Sequence, residues 1–245
     1  MYPYNPGRFP LIMAWTLPLP VAYTRAATRI FNESVQKFKP KELADTRLMY
    51  STSTSAALPM SVKKPLRTIG DFKGLKIRTL GNMALYMKDL GATPISMPIN
   101  DLYSALDKGV VDATINNTHV LAAWKFADVI KYLTPWVWKN GSAWGVHMNL
   151  NVWNSLSPEI QKIFEEANKK YLWKQVEYMD ADDKVGTEVG LKKGMQIIEE
   201  TPQLRNDLKK SVQPSYDRYI AEMKAKGLPG KEFLDFLLKR CEEVK

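Results

Sequence analysis

An α/β fold is what the sequence predicts, on three observations. Between Lys63 and Asn117, strand and helix patterns alternate, so that strand, helix, strand, helix and strand follow within about 45 residues, the signature of an α/β unit with right-handed crossovers. The strand segments there are apolar with few breaks: Val110–Ile115 is interrupted by Asp112 and Thr114 alone, as suits parallel strands covered on both faces. Glycine and proline fall at the junctions, where turns are needed.

Taken in order, Phe9-Pro-Leu-Ile-Met-Ala-Trp15 predicts an interior strand that Pro18 and Pro20 end. Ala26, Ala27, Ile30, Phe31, Val35 and Phe38 recur at helical spacing up to the Lys39-Pro-Lys41 stop. Arg47–Ser53 reads as a short strand, and the Ser/Thr tract at 51–55 as a crossover. Leu75 and Ile77 alternate with Lys76 and Arg78 in a strand ending near Thr79. Gly81-Asn82 opens a helix through Met83, Leu85, Tyr86 and Leu90, which Gly91 caps. Pro94–Met97 is a strand, Asn100 caps a helix that Gly109 terminates, and Val110–Ile115 is the next strand. Lys131–Pro135 and Ser142–Met148 are further strands. Ser157 caps a long helix with Pro158 at its first position and Glu159 near its positive end. Ile160, Ile163, Phe164, Ala167 and Tyr171 mark its expected buried face, and the pattern runs to about Val185. A strand at Met195–Ile198 precedes two C-terminal helices, the second at Gly230–Val244. With no flexible linker in view, two domains would have to share several crossing strands.

The 245 residues are 45% hydrophobic and 25% charged, which is the balance of a soluble, core-forming chain. No stretch reaches the length of uninterrupted apolar sequence that a bilayer requires. One cysteine, Cys241, excludes an intramolecular disulfide framework and a cysteine-based zinc site. A formal charge of +9 points to an anionic partner: nucleic acid, a membrane surface or small acids. The first eight residues lack a secretory leader, and the chain reads as though it begins inside a fold.

Arg78 is the most informative side chain. It ends a parallel strand just before a helix opening, where open α/β sheets bind ligands, and a guanidinium there can grip a carboxylate through two parallel hydrogen bonds. The plainer alternative is a surface ion pair with Asp71 or Asp89. Asn116 and Asn117 end another strand at the same edge, where an amide can serve a second polar group of the ligand, although such a pair also suits a turn. Asn82, in the helix opening beside Arg78, joins the candidates. Trp136, Trp138 and Trp144 could wall a ligand or simply pack in a core.

Catalysis is not indicated. His119 and His147 lie in different elements without a nucleophile or a metal motif beside them, and Gly70-Asp-Phe-Lys-Gly74 lacks the spacing of a phosphate loop. No cofactor is expected. The basic pairs Lys63-Lys64, Lys169-Lys170, Lys192-Lys193 and Lys209-Lys210 are dispersed, so nucleic-acid binding is the weaker alternative, beside a binding-protein-like fragment with no ligand competence.

Several segments together resemble the solute-binding proteins of tripartite ATP-independent periplasmic (TRAP) transporters, of the dicarboxylate type. They are Tyr4-Asn-Pro-Gly-Arg-Phe-Pro-Leu11 with Leu17-Pro18, Asp71-Phe-Lys-Gly-Leu-Lys-Ile-Arg78, Leu90-Gly-Ala-Thr-Pro-Ile-Ser-Met97 and Asp101-Leu-Tyr-Ser-Ala-Leu-Asp-Lys-Gly-Val-Val-Asp112. Val129-Ile-Lys-Tyr-Leu-Thr134, Met148-Asn149 and Trp153-Asn-Ser-Leu156 complete the set, in the order and with the spacing of the family. The resemblance implies a periplasmic-binding-protein-like α/β fold, two lobes with crossing strands and a long inter-lobe helix, closing on a small organic acid. The lobes would be 1–54 with 142–187, and 55–141 with 188–245. It puts the family's carboxylate-binding arginine at Arg78 and a polar pocket residue at Asn116 with Asn117 beside it; beyond the resemblance, a tryptophan such as Trp144 is expected to pack against the ligand body. It implies no enzymatic activity, a periplasmic location, membrane subunits of a TRAP transporter as partners, and neither nucleic-acid binding nor membrane insertion. Against that family two strand–helix units are missing ahead of Tyr4, so one lobe is expected to be incomplete. Ser55-Ala-Ala-Leu-Pro59 lacks the arginine of sialic-acid binders, which favours a monocarboxylate or dicarboxylate, with room for an apolar or aromatic body.

Overall fold

The computed structural model describes residues 2–21, 23–53, 57–136 and 143–244. Helix α1 (Thr24–Phe38) ends where Lys39 turns left-handed ahead of Pro40. Strand β1 (Thr46–Ser53) follows, then β2 (Leu58–Ser61) and the α/β unit: β3 (Lys76–Arg78), α2 (Asn82–Asp89), β4 (Thr93–Ile95), α3 (Ile99–Asp107) and β5 (Ala113–Asn116). A short α4 (Val120–Ala123), β6 (Tyr132–Leu133), β7 (Ala143–Asn149) and α5 (Leu150–Ser155) lead into α6 (Pro158–Lys192). The chain closes with β8 (Gln196–Ile197), α7 (Pro202–Ser211), α8 (Gln213–Ala225) and α9 (Gly230–Glu243).

The strands form a six-stranded sheet of order β4-β3-β5-β2-β6-β8 and a separate ribbon, β1-β7. In the sheet β3 runs parallel to β4 and β5, whereas β2 is antiparallel to β5 and β6. The ribbon is antiparallel and irregular between Leu48 and Tyr50.

Four expectations need correction. The opening apolar run is not a strand: Ile12–Thr16 is a 3-10 turn inside a segment whose residues from Leu11 to Leu19 are all buried. Its prolines lack the donors a ladder needs, and side chains of other elements satisfy its backbone. The Glu42 carboxylate accepts from the Leu11 and Ile12 N–H groups, and the Tyr216 and Tyr219 hydroxyls donate to the Pro18 and Leu11 carbonyls. Helix α3 starts at Ile99 after Pro98, which places Asn100 inside its first turn. Helix α6 runs past Val185 to Lys192, and much of the face expected to be buried is open: Ile163 is 65% and Tyr171 56% exposed. Spacing alone reports an apolar stripe but not whether another element covers it. Finally, three helices rather than two follow β8, because Pro214 interrupts the run after Ser211.

Other local signals hold. The Ser157 hydroxyl accepts from the Ile160 N–H at the start of α6, with Pro158 in the first turn. Gly91 and Gly109 adopt the positive φ of helix ends. At about 1.5 Å per residue α6 extends roughly 50 Å, and it is fastened along its length. Glu165 pairs with Arg47 of β1, Asp180 accepts from Thr24 at the head of α1, and Asp183 holds the loop after β5. Gly186 allows that last contact, since a Cβ there would lie 2.0 Å from the Thr118 carbonyl oxygen.

The larger buried cluster joins residues 11–21 and α1 to α2, α8 and α9, with Trp136 stacked on Phe72 at 5.7 Å. A smaller one gathers Met60, Leu102, Leu106, Leu121, Phe126 and Met195. Cys241 lies in the larger cluster, 5% exposed, and burial pushes its thiol up to about 12. No helix among the described residues is long and apolar enough to cross a membrane.

Candidate functional site

Arg78 is the last residue of β3, flanked by β4 and β5, and is only 4% exposed. Its Nε and Nη2 donate to the Met97 carbonyl at 3.2 and 3.0 Å, and Nη2 also donates to the Tyr4 hydroxyl at 3.2 Å. These are neutral acceptors, and they engage the Nε and Nη2 donors of the guanidinium. Asp71 is engaged with the Thr68 and Arg67 N–H groups, and Asp89 pairs with Arg218. Among the described residues Arg78 has no carboxylate partner. Burying a cation costs several kcal/mol unless an anion offsets it, so this guanidinium favours an anionic guest.

The register extends the site along the sheet. Arg78 pairs with Thr114, and Asn116 is the next residue on the same face of β5, about 7 Å further toward the carboxyl edge. The Asn116 Oδ1 accepts from the Asn117 N–H, while its Nδ2 is buried and without a partner among the described residues. A buried amide donor left unpaired costs about 1–3 kcal/mol, which a ligand oxygen would offset. Asn117 is buried beside it, and the following residues are anchored to α6: the Thr118 hydroxyl donates to the Asp183 carbonyl and the His119 N–H to the Asp183 carboxylate.

The other candidates are held by different elements. Asn82 uses its side-chain amide on the Met13 carbonyl and its backbone N–H on the Thr16 hydroxyl, each at 2.9 Å, and so ties the 3-10 turn to α2. Gly81 sits against that same turn with φ of +60°, where a Cβ would lie 2.8 Å from the Thr16 hydroxyl oxygen. Trp144 is half-buried on β7, opposite Thr52, and belongs to the ribbon rather than to the sheet that carries Arg78. Trp136 is a core residue; Trp138 lies outside the described residues. Sequence reasoning missed Tyr4 as a partner of Arg78. The signal available was its position at the head of the Tyr4–Leu11 segment; the contact itself spans 74 residues of sequence.

His147 of β7 sits between the Tyr2 hydroxyl at 2.7 Å and the Thr46 hydroxyl at 3.0 Å. Burial, with Arg8 nearby, holds its pKa below the usual histidine value. No group of residues suited to a metal ion occurs among the described residues.

In this α/β protein a buried arginine, with no carboxylate partner among the described residues, thus stands at the carboxyl edge of a largely parallel sheet, with an unpaired amide nitrogen on the same face. Residues 2–223 match the family model described as bacterial extracellular solute-binding protein, family 7, and the chain belongs to that family.

Among relatives, a monocarboxylate 2-oxoacid-binding periplasmic protein of Nostoc sp. is 35% identical over 119 residues, which are 47% of this chain and 32% of that protein. A C4-dicarboxylate-binding periplasmic protein of Rhodobacter capsulatus is 34% identical over 44% of this chain and 33% of its own. The matched stretches thus span about a third of these relatives. Among solved structures, an open TRAP periplasmic solute-binding protein of Desulfovibrio salexigens superposes with a TM-score of 0.86 at 27% identity, covering 99% of this chain and 76% of the other. A marine metagenome TRAP solute-binding protein, specific for aromatic acid ligands and solved with metahydroxyphenylacetate, gives 0.91 at 21% identity, over 99% and 78%. The α/β fold is therefore that of the TRAP solute-binding proteins.

Proposed function

We propose that the protein captures a small organic acid outside the cytoplasm and presents it to the membrane subunits of a TRAP transporter. The observation that carries this reading is the burial of Arg78 without a carboxylate partner. The ligand carboxylate would take the N–H groups of Arg78 that Met97 and Tyr4 leave free, and Asn116 Nδ2 would donate to a second oxygen. Family membership favours solute capture over the nucleic-acid reading. The protein acts as a carrier and carries out no chemistry on its cargo. Its location is periplasmic, in keeping with the relatives' names.

The lobes would be 1–54 with 142–187, and 55–141 with 188–245. The separate β1-β7 ribbon and an α6 fastened to both the ribbon and the loop after β5 support such a division. Ligand contact with both lobes would bias the equilibrium toward the closed state. Trp144, carried on the ribbon, would then meet the body of a ligand held at Arg78.

The test is thermal unfolding of the purified chain against 2-oxoacids, C4-dicarboxylates and aromatic acids. A ligand at about a hundredfold over its dissociation constant adds roughly 2.7 kcal/mol and raises the midpoint. A rise with one acid class supports the reading and names that class. A cooperative transition that no carboxylate moves counts against it.

A further inference from the structure

We propose a second anion site at the end of the six-stranded sheet opposite Arg78, taking a compact, multiply charged oxyanion of the phosphate or sulfate class. Strand β2 is antiparallel to β5, and β5 is parallel to β3, so the chain leaving β2 at Ser61 lies at the same end as the chain entering β3 at Lys76. Lys63, Lys64 and Lys73, with Ser61, Gly74 and Asp112, line a cavity of about 230 Å³ there.

The charges in this cavity are unbalanced. Its lining carries three ammonium groups against one carboxylate, and none of the three lysines forms an ion pair among the described residues. The nearby acids are engaged already. Asp112 Oδ2 accepts from the Lys76 N–H at 3.0 Å. Asp71 lies close enough to feel Lys64, yet it accepts from two backbone N–H groups and the Thr68 hydroxyl. Lys76, next in sequence to the lining residue Leu75, directs its ammonium to the Gly109 carbonyl.

The chemistry of the lining selects the guest. The cavity is smaller than the roughly 300–1,000 Å³ of sites for larger organic ligands, and Leu75 is its one apolar side chain. The Gly74 N–H is used on the Gly91 carbonyl and the Ser61 hydroxyl proton on the Lys64 carbonyl, so the available donors are the ammonium groups. Lysines bind phosphate-like groups as point charges. Selection is therefore by charge, favouring a polyvalent anion over the monocarboxylates that a guanidinium fork suits.

Isothermal titration with pyrophosphate, at ionic strength held constant with chloride, tests the site. The expected result is saturable binding that Lys63→Gln/Lys64→Gln/Lys73→Gln weakens about tenfold or more, while Lys169→Gln/Lys170→Gln on α6 leaves it unchanged. All five lysines are exposed, so both variants should keep the fold, which their thermal unfolding checks. Binding no better than chloride, or equal weakening in the two variants, overturns the proposal. Co-sedimentation with mixed phosphatidylcholine–phosphatidylglycerol vesicles separates free anion from headgroup. Lysine-dependent pelleting without a response to pyrophosphate would assign the cluster to a membrane surface and also overturn the site.

Discussion

A guanidinium held through Nε and Nη2 by a backbone carbonyl and a phenol has little freedom left, and that is the value of the Met97 and Tyr4 contacts to Arg78. Pre-orienting the donor lowers the entropy a ligand must otherwise overcome. Arg78→Ala should weaken carboxylate binding by about 2–4 kcal/mol, or roughly 30- to 1,000-fold, because the ligand charge loses its partner. Arg78→Lys keeps the charge without the planar guanidinium that Met97 and Tyr4 orient and should retain part of that affinity. Titration calorimetry on the two variants checks both values, and near-unchanged binding in the alanine variant would remove Arg78 from the site. Tyr4→Phe removes one acceptor of the guanidinium and should cost less, about 1 kcal/mol.

His147 makes a pH prediction at the same scale. Its folded pKa lies below the ordinary value of about 6.5, chiefly through burial. As pH falls below about 6.5 the unfolded chain takes up the proton first, so stability present above that pH is lost progressively toward the folded pKa. The thermal midpoint should fall on acidification from pH 7 to 5. In His147→Gln that part of the fall should be smaller, as unfolding followed across the pH range would show.

Among the elements, α6 carries the clearest mechanical consequence. It meets the loop after β5 with so little clearance that Gly186 cannot take a Cβ without moving Thr118. Gly186→Ala should destabilise by about 1–3 kcal/mol in denaturant unfolding, as overpacking does, despite alanine's better helix propensity. The displaced loop adjoins Asn117, so ligand affinity should fall as well. Replacing Gly194, which has no atom within 4 Å of a Cβ position, tests φ strain alone and should leave affinity intact.

The α/β unit from β3 to β5 was legible in the sequence because each of its signals is local: period-two strands, glycine helix ends and a helix-opening Gly-Asn. Arg78 could be placed at a strand end for the same reason. What failed was tertiary. The apolar run from Leu11 to Leu19 reads as a strand until Glu42, Tyr216 and Tyr219, distant in sequence, are seen to satisfy its backbone. The open face of α6 has the spacing of a buried one, and coverage is a property of the neighbours. Asn82 shows a third limit. The turn that makes it a good helix opener is visible in sequence, but the use of its amide on Met13 is not.

Over the whole molecule, the +9 charge bears on rate more than on affinity. A cationic surface draws a small acid toward it through water, and salt screens that pull over a Debye length of about 10 Å at 0.1 M. Stopped-flow association of a carboxylate should therefore slow markedly between low and physiological salt. With the ligand held at Arg78 as proposed, dissociation would be governed by a desolvated contact and should change little. An equal salt effect on both rates would point instead to a guest bound at the surface.

The state of Cys241 makes the protein convenient as an optical instrument. Buried in the core and with its thiol held almost entirely protonated at neutral pH, it is a poor nucleophile toward maleimide dyes. A cysteine placed at an exposed ribbon position such as Val146 would then be the one site that labels. A single environment-sensitive fluorophore there, with no background to subtract, would turn capture of an acid into a change of colour or brightness.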